Sequence, residues 1–362
     1  MPICFELYGI SGVIQAGEHI CYIAPNNING IFMMDLNTKN IRRVCEIPWK
    51  YPFFAVDMVE KDHIIWCVAR KGLQIACYDP RSGEAVMYMG NREERENLTS
   101  VLYKDDIYIF PKDLPGDVVR FSTQDRTCYN LPEWNAGINS LHIHDHLRTY
   151  TISDDRVAAT LKSNAAIIIF DIKRQSSYIR YTDVQDAFFG ITTIENGYYL
   201  TSCKRKVIYC LNTEMNKTTV YKNDNENGFY HQIWKTGDGC FLYGTSGLDF
   251  FQGGKFRSLI KDSKRGDMRS AYIFLQKIGS KIFLWPWNEK KLLEIKTDTF
   301  QYYKHSFHMF FRDYIHLFPI IAEKDISLED YINEISQYEV SEEDCGVMKN
   351  TGGNIFKYIQ EK

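Results

Sequence analysis

The feature that most constrains this chain is a repeat. Short apolar strands alternate with polar turns at a nearly constant interval along most of its length. One unit reads FAVDMVEKDHIIWCVA, then LQIACYDPRSG, then EAVMYMG: strand, turn, strand, loop, strand, turn, strand. The same order recurs in IYIFPKDLPGDVVRFSTQDRTCYNL, in GITTIENGYYLTSCKRKVIYCLNTEMNKTTVY and in FLQKIGSKIFLWPWNEKKLLEIKTDTFQYY. Two independent registers follow. First turns fall at Gly17, Asp62, Asp105, Asp154, Asn196, Asp238 and Gly279. Second turns begin at Asp35, Asp79, Ser122, Asp171, Asn212, Gln252 and Lys296. Most of these residues are suited to tight turns, because Asp and Asn bond their own backbone two residues on and Gly accepts positive φ. The mean spacing is roughly 43 residues, the length of a four-stranded blade.

Four strands of about five residues with short connections fill that period. Runs such as VIYC and AIIIFD lack polar alternation, as expected where both sheet faces are covered. The predicted fold is therefore all-β, a seven-bladed β-propeller of four-stranded antiparallel blades over residues 10–305. A six-bladed ring with one segment outside the repeat is the alternative count. The D-x-x-T type turn after the third strand, as in MDLNTKN, resembles bacterial kelch-like and quinoprotein-like propellers. The resemblance is architectural. Most units lack the kelch double glycine, and the Trp-Asp dipeptide of WD repeats is absent. It implies a fold and carries over no active-site residue.

Residues 1–9 are expected as an N-terminal strand or cap, and residues 306–362 as a C-terminal extension with one or two helices. The last unit has its own fourth strand in FQYYKH, which leaves ICFELYG as an extra edge. Ser327 can cap a helix, SLEDYINEISQY, whose Leu328, Tyr331, Ile332, Ile335 and Tyr338 share one apolar face. Asn354 can cap a second, NIFKYIQEK. Such a tail either covers its own ring or docks on a partner.

Composition agrees with strands: there are 24 Tyr, 22 Phe and 6 Trp. Lys plus Arg is 43 against 46 Asp plus Glu, and a net charge of -3 makes no global case for nucleic-acid binding. No apolar run is long enough for membrane insertion, and the first residues lack the basic start of a secretion signal. The ten cysteines contain no CxxC pair, so reduced thiols and a cytoplasmic, monomeric ring are expected. Cys67 with Cys77, and Cys203 with Cys210, flank equivalent loops and are expected to face each other across paired strands.

Propeller function sits on the ring face where the loops between second and third strands meet the blade-to-blade loops. The first set supplies Arg70, Lys71, Lys204, Arg205, Lys206 and Trp287. The second supplies Trp49, Tyr51, Arg95, Trp134, Arg265 and Arg269. Basic and aromatic side chains on one face suit a protein partner or an anionic ligand, held by stacking and charge-assisted hydrogen bonds. His142, His144 and His146 in HIHDH are weak metal-ligand candidates, since no distant fourth ligand can be named. There is no G-x-S-x-G, phosphate loop or dinucleotide fingerprint, so no catalytic residue and no cofactor is expected. The leading reading is a non-catalytic binding module. The alternative is a propeller-type glycoside hydrolase or lyase using Asp183 or Asp186 with the histidines.

Overall fold

The computed structural model describes residues 4–310 except 7–8, 26–29, 48–54, 90–94, 154, 213, 215–217, 224–227, 238, 262–271, 288–290 and 307. It forms a ring of seven antiparallel blades, each built from one continuous stretch of chain. Blade 1 comprises Ile10–Gln15, Ile20–Pro25, Ile31–Asp35 and Ile41–Cys45. Blade 2 comprises Ala55–Lys61, Ile64–Ala69, Gln74–Asp79 and Glu84–Met89. Blade 3 comprises Asn97–Tyr103, Asp106–Pro111, Val119–Ser122 and Thr127–Asn130. Blade 4 comprises Asp145–Ser153, Arg156–Leu161, Ala166–Asp171 and Ser176–Tyr181, and its first strand also pairs with the short Asp113–Leu114. Blade 5 comprises Phe188–Ile194, Gly197–Ser202, Val207–Asn212 and Thr218–Lys222. Blade 6 comprises Tyr230–Thr236, Gly239–Gly244, Gly247–Gln252 and Lys255–Lys261. Blade 7 comprises Tyr272–Ile278, Lys281–Pro286, Lys291–Lys296 and Tyr302–Ser306. Both turn registers read from the sequence fall between the expected strands, and the count is seven rather than six. Asp154 and Asp238 themselves lie outside the described residues.

The second turns show why those residue types recur. Asp35 Oδ1 accepts from the N–H groups of Asn37 and Thr38 at 2.8 and 3.1 Å. Asp79 takes the Arg81 N–H at 2.9 Å, and Asp171 the Arg174 N–H at 2.9 Å. These bonds hold the Asp35 carboxyl below its ordinary range, with the Thr38 N–H contributing most. Turn chemistry thus sets the blade edges locally.

The blades are held together face to face. In the strand Ala166–Asp171, Ile168 and Phe170 pack toward blade 3, while Ile167 and Ile169 pack toward blade 5. All four side chains are buried, and each contributes about 1.5–3 kcal/mol by leaving water. The cysteines follow the same alternation. Cys67 pairs in register with Ala76, and Cys77 with Trp66. Cys67 therefore joins the core shared with blade 1, and Cys77 the core shared with blade 3. The expectation that they face each other is corrected: strand period two puts them on opposite faces. Cys210 likewise pairs with Tyr199, not with Cys203. The eight cysteines from Cys21 to Cys240 are free thiols, and burial pushes Cys21 and Cys45 up to about 12.

Blade 7 meets blade 1 without exchanging a strand. Their seam carries a buried carboxylate instead. Glu294 is 4% exposed and takes Lys39 of blade 1 at 2.8 Å, Lys281 at 2.7 Å and His305 at 2.8 Å. The Lys39 ammonium also lies 5.1 Å from the Phe283 ring centroid, and Cys21 Sγ donates to Gln276 Oε1 at 3.3 Å. Burial alone would raise the Glu294 pKa. The hydrogen bonds from Lys281 and Lys39, and their charges, outweigh it and hold the carboxyl at about 2. Beyond the ring, Cys4–Glu6 pairs antiparallel with His308–Phe310 in a separate two-stranded ribbon. The helix expected over 327–338, like that begun by Asn354, lies outside the described residues.

Two outcomes test this architecture. Ile168→Asp places a charge in the core between blades 3 and 4 and should cost several kcal/mol, read as a large fall in melting temperature. The Glu294 carboxyl is held below its unfolded value, so its contribution is present at neutral pH and lost as pH falls toward 2. Urea unfolding at pH 7 and pH 3 should therefore show a smaller loss on acidification for Glu294→Gln than for the unsubstituted protein.

Candidate functional site

The site begins with a backbone irregularity repeated seven times. The innermost strand of every blade breaks register with its neighbour near its start: Ile10/Gly12, Ala55/Asp57, Asn97/Thr99, Leu147/Tyr150, Phe188/Ile191, Tyr230/Gln232 and Tyr272/Phe274. A bulge bends the strand, re-aims a side chain and frees backbone groups that need other partners. Threonines on second strands supply them. Thr201 Oγ1 accepts the Gly190 N–H at 2.7 Å and donates to the Tyr230 carbonyl of the next blade at 3.0 Å. Thr160 does the same one blade earlier, bonding Thr149 N at 3.3 Å and the Phe189 carbonyl at 3.0 Å. Gly190 is required by this closeness, since a Cβ there would lie 2.9 Å from Thr201 Oγ1. Between blades 2 and 3, Thr99 Oγ1 donates to Asp57 at 2.9 Å, and burial pushes the Asp57 carboxyl up to about 6.

The re-aimed residues surround a cavity of about 450 Å³ in the channel. Ser11, Val56, Leu98, Arg148, Thr149 and Ile273 reach it from bulges, and Arg70, Lys112 and Trp287 from loops and strand ends. Three of the lining side chains are cationic, and none of the described lining residues is Asp or Glu. Arg70 of blade 2 lies 5.3 Å from the Trp287 ring of blade 7, so the pair spans the intervening blade 1. Arg148 lies 4.8 Å over Phe189. Phe189 and Phe229 in turn meet the His231 ring edge-on at 4.9 and 4.8 Å. Lys112 Nζ pairs with Glu96 at 2.5 Å. That bond, followed by the charges of Lys112, Arg70 and Lys71, holds the Glu96 carboxyl below its ordinary range. Among the described residues the cluster keeps a positive excess after this one acid is counted.

The loop residues singled out from sequence fall into distinct places. Arg70 and Trp287 come together at the cavity. Lys71 is exposed beside them and bridges backbone to backbone with Glu96. Lys204 and Arg205 are exposed on blade 5, where Arg205 donates to Tyr209 OH at 3.3 Å. Arg95 is spent internally on Asn97 Oδ1 at 2.5 Å and the carbonyls of Asp117 and Ile109 at 2.6 and 2.9 Å. Lys206 is buried between blades 5 and 6, its ammonium 3.0 Å from Asp249. Asp249 also accepts from Tyr230 OH at 2.6 Å and Asn223 at 3.2 Å. Trp134 lies in the helix Pro132–Asn139, wedged against Phe110 at 6.2 Å and donating to Ser177 of blade 4's outer strand at 2.7 Å. It is 2% exposed and does not line the cavity that Trp287 lines. Trp49, Tyr51, Arg265 and Arg269 lie outside the described residues.

His142, His144 and His146 are exposed. Asp145 between them faces inward and takes Ser163 N–H and Asn164 Nδ2 at 2.9 Å each, which makes the string a loop anchor. His146 pairs with Asp113. Among the described residues no three His, Cys, Asp or Glu side chains gather as a metal site. Asp186 is buried and bound by Ser202 at 2.5 Å and Tyr209 at 3.1 Å, while Asp183 takes Thr218 at 2.9 Å. Neither lines the cavity. Arg148, Phe189, Phe229 and His231 do not stand out in the sequence because they lie on or beside inner strands rather than in the long loops. The available signal was an arginine within a strand, followed directly by threonine.

The ring, its bulged inner strands and its cation-rich mouth define the chain as a seven-bladed β-propeller with a channel cavity. Its fold is similar to that of virginiamycin B lyase from Staphylococcus aureus, with TM-score 0.59 and 14% identity over 80% of this chain and 96% of that one. It is also similar to YCF48 from Cyanidioschyzon merolae, with TM-score 0.63 and 8% identity over 81% and 97%. A structure of YCF48 bound to D1 peptide gives TM-score 0.61 and 8% identity over 79% and 92%. No protein-family model and no curated protein matches the chain. Among the described residues no helix is long and apolar enough to cross a membrane.

The Lys206–Asp249 pair carries a stability test. Lys206→Ala strands a buried carboxylate and should cost about 3–5 kcal/mol. The double variant Lys206→Met with Asp249→Leu should recover much of that loss in thermal melts.

Proposed function

We propose that this ring is a non-catalytic binding module that recognises an acidic protein segment at its channel mouth. The observation that carries the reading is the cavity itself, with Arg70, Lys112 and Arg148 on its wall and no acidic residue among the described lining. A carboxylate entering there meets guanidinium groups already oriented by stacking on Trp287 and Phe189, so little side-chain freedom is lost on binding. Trp287, with Trp234 and Phe274 in the same lining, gives the apolar contact that a free inorganic anion would not use. Lys71, Lys204 and Arg205 extend the positive field beyond the mouth. YCF48, similar in fold, has been found with a peptide bound. The free thiols are consistent with the reducing, cytoplasmic setting read from the sequence.

The test is binding of a fluorescent Asp- and Glu-rich peptide containing tyrosine, measured by anisotropy across a salt series. Arg70→Ala with Arg148→Ala should slow association and flatten the salt dependence. Trp287→Ala should mainly speed dissociation, weakening affinity by about 2 kcal/mol. Folded variants that bind as tightly as the unsubstituted protein would place the site elsewhere.

A further inference from the structure

We infer that the first occupant of this mouth is the chain's own acidic segment, residues 323–344, which an external partner must displace. The inference rests on the binding reading above and adds its regulation. Three observations carry it.

The first is charge. Between residues 323 and 344 the sequence EKDISLEDYINEISQYEVSEED holds nine Asp or Glu and one Lys. Residues 311–362 as a whole hold eleven acids against five bases, in a chain of net charge -3. The remaining residues therefore carry a positive excess, and the cavity concentrates part of it at Arg70, Lys112 and Arg148. Tyr331 and Tyr338 lie within the acidic segment and supply rings that match Trp287 and Trp234 in the cavity lining.

The second is the point of departure. In blade 7, Ser306 pairs with Lys291, which places the end of the outer strand on the side of the Trp287 loop. The next strand, His308–Phe310, pairs with Cys4–Glu6 and adjoins Ile41–Cys45 of blade 1. The chain thus leaves the ring beside blade 1, the blade that the Arg70–Trp287 pair spans.

The third is reach. Twelve residues separate Phe310 from Glu323, a span of about 45 Å when extended. A domain of this size has a radius of gyration of about 19 Å. Even a relaxed connection of that length averages about 20 Å, close to that radius. Tethering at that range gives an effective concentration of about 1 mM. A contact with an intrinsic Kd of about 100 μM is then mostly formed, and it raises the apparent Kd of a competitor about tenfold.

The experiment compares full chains. One keeps its sequence. In the other, Glu329→Gln, Asp330→Asn, Glu334→Gln, Glu342→Gln, Glu343→Gln and Asp344→Asn neutralise the tail. A labelled synthetic peptide of residues 323–344 is titrated into each at low salt. The neutralised chain should bind it about tenfold more tightly, and the difference should shrink as salt is added. In the unsubstituted chain, carbodiimide should join this segment to Lys71, Lys112 or Lys204 at a rate independent of protein concentration. Equal, tight binding by both chains would overturn self-occupancy while leaving the mouth as a binding site. Cross-links that grow with concentration would overturn it in favour of docking between copies. Binding by neither chain would overturn the acidic-segment reading itself.

Discussion

A blade of this protein cannot bury its own surface. Its middle strands are apolar on both faces, so each needs a neighbour on either side, and the row of blades has to close. Six seams are described as hydrophobic clusters or parts of them, from Cys67 against blade 1 to Tyr243 against blade 7. The seam between first and last blades also contains a carboxylate held by two ammonium groups and an imidazole. A charge at that position is tolerated because every oxygen of Glu294 has a cationic or imidazole partner, and it ties Lys39 of blade 1 to Lys281 and His305 of blade 7.

The same closure generates the site. Seven inner strands converge on a narrow circle, and each relieves the crowding with a bulge at the same height. The freed backbone groups are met by Thr160 and Thr201, which stitch one inner strand to the next. The side chains thrown inward then line a cavity whose two guanidinium groups lie over rings, while its ammonium group is held by Glu96. Rigid blades and ring-stacked guanidinium groups leave the cavity charged without needing a ligand to organise it.

What was legible in the sequence was local. Asp35, Asp79 and Asp171 announce turns because one side chain satisfies two neighbouring N–H groups or fewer, with no help from distant residues. The count of turns then gives the count of blades. Arg70 and Trp287 were legible as loop residues at equivalent positions, though not as a pair spanning blade 1. Orientation was not legible. Lys206 follows two exposed basic residues, yet it turns inward because Asp249 of the next blade waits there. Arg95 looks like Lys71 in sequence, but three acceptors enclose it. Trp134 sits in a helix that begins with Pro132, an insertion outside the strand period. The bulges escaped because a single extra residue does not disturb a pattern read over five or six.

The ribbon of Cys4–Glu6 and His308–Phe310 has a mechanical meaning. Cys4 stands opposite Phe310, so one end of the ribbon holds the described residues nearest the two ends of the sequence. A pull on the two ends of the chain would load one pair at a time, Cys4 with Phe310 before Glu6 with His308. It would peel the ribbon open like a zip at low force. Only then would tension reach Ile10 on the inner circle of blade 1 and Ser306 at the rim of blade 7. Those two points lie on opposite sides of the Lys39–Glu294 seam. Under load, the ring would therefore open where it was closed without a shared strand.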